Sequence, residues 1–124
     1  MPLKIACAQM EVLPGRPDVN SQKMLDWIAR AKQEDVDVIL FPEMAIPGYL
    51  IGDRWEQPAF LDDCVQYGQD IIAASEGITV VFGNVAVEKR RTNTDGHVRK
   101  YNAAFVAQDG RLLPGLAERD FFIK

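Results

Sequence analysis

Glu43 is the residue in this sequence whose placement most directly invites chemistry. It follows Pro42 at the carboxyl end of an apolar run, Val36 to Phe41 (VDVILF), which reads as a strand buried from both sides except at Asp37 near its start. Ligands of parallel sheets bind just beyond the carboxyl ends of strands. A carboxylate there, partly desolvated by the apolar rim, gains basicity and suits a general base working near neutrality. The Pro-Glu pair alone is a common dipeptide and more often marks a solvated loop glutamate after a strand. A base also needs a group to deprotonate, and the chain holds two cysteines, Cys7 and Cys64. Cys7 lies inside an alternating segment and Cys64 shares a helical apolar face with Leu61 and Ile71, so both are expected to be core residues. His97, beside the Asp95-Gly96 turn, has no companion ligands at metal-binding spacing and reads as a surface turn residue.

The elements that must position Glu43 follow from periodicity. Leu3 to Met10 alternates as a strand. Pro14, Gly15 and Pro17 break the chain, and Asp18 or Asn20 is expected to cap a helix that carries Met24, Ile28 and Ala31 and runs to about Glu34. With Val36 to Phe41 this makes a βαβ unit. After Pro42 comes a long loop rich in turn formers, in which Tyr49 and Trp55 either line a substrate pocket or anchor the loop. Anchoring is the role expected here. Gln57 to Ser75 returns to helical period, and Gly77 ends it. Ile78 to Phe82 and Val85 to Lys89 read as extended, with Gly83 and Asn84 between them allowing a bend. His97 to Ala107 and Arg111 to Glu118 read as strands joined by a type I′ turn at Asp109-Gly110. The chain stops in an apolar extended run, Phe121, Phe122, Ile123 and Lys124, as a strand interrupted in mid-fold would. The expectation is one α/β domain over residues 1–124, present only in part.

Composition narrows the function. The chain has 124 residues, 48% of them hydrophobic, and a formal net charge of -4. That is enough apolar content for a core, and the charge offers no footprint for nucleic acid. No apolar run approaches the roughly 20 residues of a membrane span, and no amino-terminal targeting segment is visible. Two cysteines far apart suit a reducing compartment, so a cytoplasmic protein is expected, with homo-oligomers as its assembly.

The combination of the opening KIACAQM with VILFPEMAIPGY is far more specific than Pro-Glu by itself. It resembles the carbon-nitrogen hydrolase (nitrilase) superfamily, whose first strand ends in Ala-Gln, here Ala8 and Gln9, and whose general base sits in a strand-Pro-Glu turn, here Pro42 and Glu43. Tyr101, Asn102 and Ala103 with the Asp109-Gly110 turn are similar to the family hairpin that precedes a catalytic lysine, for which Lys124 is the match. The resemblance implies the amino-terminal part of a four-layer αββα sandwich. It also implies a glutamate that takes a thiol proton, a lysine that stabilises the oxyanion, and a nucleophilic cysteine lying beyond residue 124. Within the superfamily, GYLIGDRWEQPAFLDDC looks most like the glutamine-hydrolysing domain of bacterial glutamine-dependent NAD synthetases, although Leu50 to Asp53 replace a Pro-Pro-Glu-Asp loop common in that group. Glutamine is then the implied substrate. No cofactor is implied for this segment, and ATP and magnesium belong to a separate synthetase domain. Two rivals remain: a stand-alone nitrilase-type amidase or carbamoylase acting on another small amide, and a non-catalytic α/β fragment that self-associates through its open sheet.

Overall fold

The computed structural model describes residues 2–114 and 121–123. In chain order the elements are β1 (Ile5–Cys7), α1 (Pro17–Gln33), β2 (Val38–Leu40), a 3-10 helix (Gly52–Glu56), α2 (Pro58–Ala73), β3 (Thr79–Thr92), β4 (Val98–Gln108), β5 (Arg111–Leu112) and β6 (Phe122–Ile123). They form one sheet in the order β1-β2-β3-β4-β5, with β6 also pairing with β4. β2 lies parallel to both β1 and β3, whereas β3 and β4 form a long antiparallel ladder. The βαβ unit expected from periodicity is therefore present.

Helices α1 and α2 pack on one face of the sheet. Met24 and Ile28 from α1 and Cys64 and Ile71 from α2 join Ile39, Val80 and Phe82 in a single buried cluster, and each large apolar side chain so buried contributes about 1.5–3 kcal/mol. Phe82 also stacks on Phe105 of β4, with ring centroids 5.3 Å apart. Strand alternation sends the intervening residues to the other face, where Leu40, Val81, Ala104 and Val106 are half-buried. The described residues thus supply one helical layer and one sheet layer, two of the four in an αββα sandwich.

Several local expectations are corrected. Neither Asp18 nor Asn20 caps α1: Pro17 is its first residue, Arg16 stands at the cap without a side-chain bond, and Asp18 pairs with Arg16 at 3.0 Å. Proline at the first helical position needs no partner for an N–H it lacks. Cys7 is exposed rather than core, because β1 is the outermost strand of the described sheet and Cys7 shares the register of Leu40, on the face away from the helices. The bend at Gly83 and Asn84 is absent, and β3 runs straight through both. The turn after β4 does have the positive φ at two successive residues that type I′ requires, 53° at Asp109 and 80° at Gly110. Of the strand expected over Arg111 to Glu118, only Arg111 and Leu112 are extended; residues 115–118 lie outside the described residues.

Asn20 does different work from a cap. Fully buried, it accepts from Leu13 N (2.8 Å) and donates to Leu13 O (2.8 Å) and Ile46 O (2.9 Å), tying the loop before α1 to the loop after β2. Asn20→Ala takes the partner from Leu13 N and Ile46 O, while Leu13 O keeps Arg16 N at 3.3 Å, and a stability loss of about 2–4 kcal/mol is expected. Denaturant unfolding of the variant in the full-length protein measures it; a loss within experimental error would show that the network is dispensable.

Candidate active site

The polypeptide leaves β2 at Leu40, makes one further ladder bond from Phe41 N to Val81 O (2.8 Å), and then turns at residues 43–47. Met44 turns with a φ of 52°, a left-handed conformation that costs a non-glycine residue roughly 1 kcal/mol and persists only where surrounding contacts enforce it. Those contacts are visible. Ile46 N donates to Gly83 O (3.3 Å), Gly15 N to Pro47 O (2.9 Å) and Gly48 N to Met44 O (2.9 Å), and Asn20 holds Ile46 O from the helical side. Arg54 of the 3-10 helix closes the arrangement by donating from Nη1 to Gly15 O at 3.0 Å.

Glu43 emerges from this turn half-buried, with both carboxylate oxygens engaged. Asn102 Nδ2 donates to Oε1, and the Tyr49 hydroxyl donates to Oε2. Asn102 comes from β4, opposite Val85, so the site is closed by residues separated by the whole length of α2 and β3. Burial of its hydroxyl first, then the Glu43 acceptor and its charge, push the Tyr49 phenol up to about 12. Tyr49 is therefore a proton donor throughout the neutral range, even though its ring is half-exposed. In general, donors to a carboxylate favour its charged form, whereas burial disfavours it.

One cavity is lined by Glu43 itself, and a second by its two donors, Tyr49 and Asn102. The first, about 320 Å³, is lined by Phe41, Pro42, Glu43, Gly83, Ala104 and Phe122 among others. The second, about 400 Å³, lies under the loop between Met44, Tyr49, Ile51, Trp55 and Asn102. Asn102 lines both. Such apolar hollows with a few converging polar groups suit a small polar substrate. At the outer rim Lys100 Nζ meets Glu56 at 2.6 Å with only 5% of its side chain exposed, which pins the 3-10 helix to β4. His97 lies half-exposed beside Asp95 and Glu56 at 3.1 and 3.7 Å, a surface position as expected.

The structure thus brings Glu43 to a cavity as the sequence implied, while Lys124 lies outside the described residues. Two residues bonded to the Glu43 carboxylate were not expected there. Tyr49, expected to anchor its loop, touches the carboxylate, and Asn102 was noticed only as part of a hairpin. Alternation along β4 puts Asn102 on the face of Ala104, but which strand it would face is not written in that alternation. Neither cysteine lines a cavity beside Glu43. Cys64 is fully buried, and burial, with a smaller push from the Asp63 charge, raises its thiol to about 12, the reverse of an activated nucleophile. Among the described residues, no three His, Cys, Asp or Glu side chains gather as a metal ion would need, and no helix is long and apolar enough to cross a membrane.

A carbon-nitrogen hydrolase family profile matches residues 4–119. The chain belongs to the carbon-nitrogen hydrolase family. Its curated relatives include the glutamine-dependent NAD(+) synthetase of Xanthomonas campestris pv. campestris (strain 8004), 38% identical over 111 residues, an alignment covering 89% of this chain and 19% of that protein. Among solved structures, the glutamine-dependent NAD(+) synthetase from Cytophaga hutchinsonii superposes with a TM-score of 0.76 at 24% identity, over 90% of this chain and 18% of that one. The Acinetobacter baumannii enzyme, solved with adenosine diphosphate, gives 0.68 at 33% identity, over 90% and 20%. The chain spans about a fifth of the length of these relatives. The carbon-nitrogen hydrolase fold read from KIACAQM and VILFPEMAIPGY is the fold observed.

Two outcomes follow from this geometry. Tyr49→Phe removes one donor from the Glu43 carboxylate, so the acid limb of the kcat/KM profile for amide hydrolysis by the full-length protein should move to higher pH; an unmoved limb would mean that the hydroxyl does not act on the carboxylate during turnover. Cys64→Ala should cost about 1–3 kcal/mol of stability and Cys7→Ser almost none, both with turnover retained. Loss of turnover in either folded variant would place the nucleophile inside this chain.

Proposed function

We propose that this chain is the base-carrying portion of a glutaminase domain whose ammonia is used to amidate a nicotinic-acid dinucleotide in a glutamine-dependent NAD synthetase. The observation that carries this reading is the Glu43 carboxylate held on both oxygens where it lines a cavity, in a chain whose curated relatives are named for that activity. In the reaction, Glu43 accepts the proton of a cysteine thiol supplied from beyond residue 124. The thiolate forms a C–S bond with the glutamine side-chain carbonyl carbon, and the carbonyl π electrons move onto oxygen. Lys124 is assigned to stabilise that oxyanion. The proton held by Glu43 passes to the departing nitrogen, the C–N bond breaks and ammonia leaves. Glu43 then takes a proton from water, whose hydroxide attacks the thioester; the C–S bond breaks, glutamate is released and the thiol is reprotonated.

ATP and magnesium belong on this reading to the synthetase part of the protein, beyond this segment. The same reading places the protein in the cytoplasm as a homo-oligomer, with no nucleic-acid or membrane partner. It also implies that residues 1–124 alone are inactive, since the base has no thiol beside it.

Glu43→Gln in the full-length protein is expected to lower ammonia release from glutamine by at least about 100-fold. The folding midpoint should be retained, and synthesis supplied with free ammonia should be unaffected. Normal glutamine-dependent turnover in that variant would overturn the base assignment. Residues 1–124 expressed alone should release no ammonia from glutamine, and turnover blocked by alkylating Cys7 or Cys64 would overturn the assignment of the nucleophile to a later segment.

A further inference from the structure

Gly83 lies in the middle of β3, opposite Ala104 of β4, and it is buried. Its backbone continues an unbroken strand and has no positive φ, so no conformational need explains glycine there. Space does. A Cβ at this position would lie 2.4 Å from Met44 N, 2.7 Å from Pro42 O and 2.8 Å from the Glu43 carbonyl carbon. All three atoms are backbone of the Glu43 turn, so no side-chain rotation relieves the overlap. The turn rests directly on the bare strand and is fastened there by Ile46 N donating to Gly83 O. Phe41 N donating to Val81 O just before it, together with the left-handed Met44, leaves the turn little room to retreat. Any side chain at 83 would lift the turn by roughly 1 Å to restore ordinary contact distances. Because Asn102 is carried by β4 and not by the turn, that lift would also part Glu43 from its donor.

We propose that Gly83 is a positioning residue for amide hydrolysis: the absence of a side chain seats the Glu43 turn on β3 and so sets the distance of the carboxylate from Asn102 and from the incoming thiol. The inference rests on the base role proposed for Glu43. A displacement of about 1 Å at a reacting group can cost on the order of 100-fold in rate, while substrate contacts elsewhere are untouched.

The test is Gly83→Ala in the full-length protein, with glutamine as substrate and ammonia release as readout. A fall in kcat of roughly 10- to 100-fold, KM within about threefold, and a displaced acid limb in the pH profile are expected. Gly68→Ala serves as the comparison, since its added Cβ would meet only a side chain closely, Asn84 Nδ2 at 2.9 Å, away from the turn backbone; it should lower stability without lowering kcat. Gly83→Ala with kcat within twofold of the parent, alongside an inactive Glu43→Gln, would overturn this inference and leave the base role standing. An active Glu43→Gln enzyme would remove the base role and the inference with it. Should Gly83→Ala fail to fold, amide exchange in the unmodified protein decides: an Ile46 N–H as slow as the β3–β4 ladder supports the seat, and rapid exchange at Ile46 overturns it.

Discussion

The ladder between β3 and β4 places almost everything on which the site depends. Its register sets Gly83 against Ala104 and Val85 against Asn102, so one strand offers a bare surface for the Glu43 turn and the other brings a side-chain amide to the carboxylate. A one-residue slip of β4 would send Asn102 to the helical face, and a like slip of β3 would set a side chain where the turn must rest. The register is guarded by the stacking of Phe82 on Phe105 and by burial of Val80 and Ala107 on that same helical face. Core packing on one side of the sheet thereby controls the geometry around Glu43 on the other.

The turn itself is held from two directions by different physics. From the sheet side the constraint is steric, a contact between backbones that tolerates no Cβ. From the helical side it is polar, through the buried Asn20 amide and the Gly15 to Pro47 bond. Met44 can stay in its unfavourable conformation because both constraints act on the residues around it. A carboxylate on so restrained a backbone loses little further freedom when a substrate arrives, which is the setting in which a proton acceptor is most effective.

The two donors to Glu43 are neutral groups, so they orient the carboxylate without cancelling its charge. Tyr49 belongs to the loop that roofs the larger cavity, and Lys100 with Glu56 fastens the 3-10 helix at the end of that loop to β4. Loop, carboxylate and strand therefore form one connected unit, in which displacement of the loop is felt at the carboxylate through the tyrosine.

Much of this was legible in the order of the residues. The βαβ opening, the second helix, the type I′ turn and the position of Glu43 beyond a buried strand all follow from periodicities and turn chemistry acting over a few residues, and the family follows from two short motifs. What tertiary structure alone decided concerns residues distant in sequence. Asn20 carries the composition of a helix cap and instead bridges two loops, because Pro17 starts the helix before it. Cys7 sits in an apolar alternating run and is exposed, because β1 ends up at the edge of the described sheet. Gly83 reads as a bend and is a straight seat, because the segment that needs the space lies about forty residues earlier. Asn102 and Tyr49 meet Glu43 only once strand register and loop path are set. Local sequence specifies φ, ψ and facial pattern, whereas contacts between distant segments arise from packing, and it is those contacts that give the carboxylate of a common Pro-Glu pair a fixed orientation.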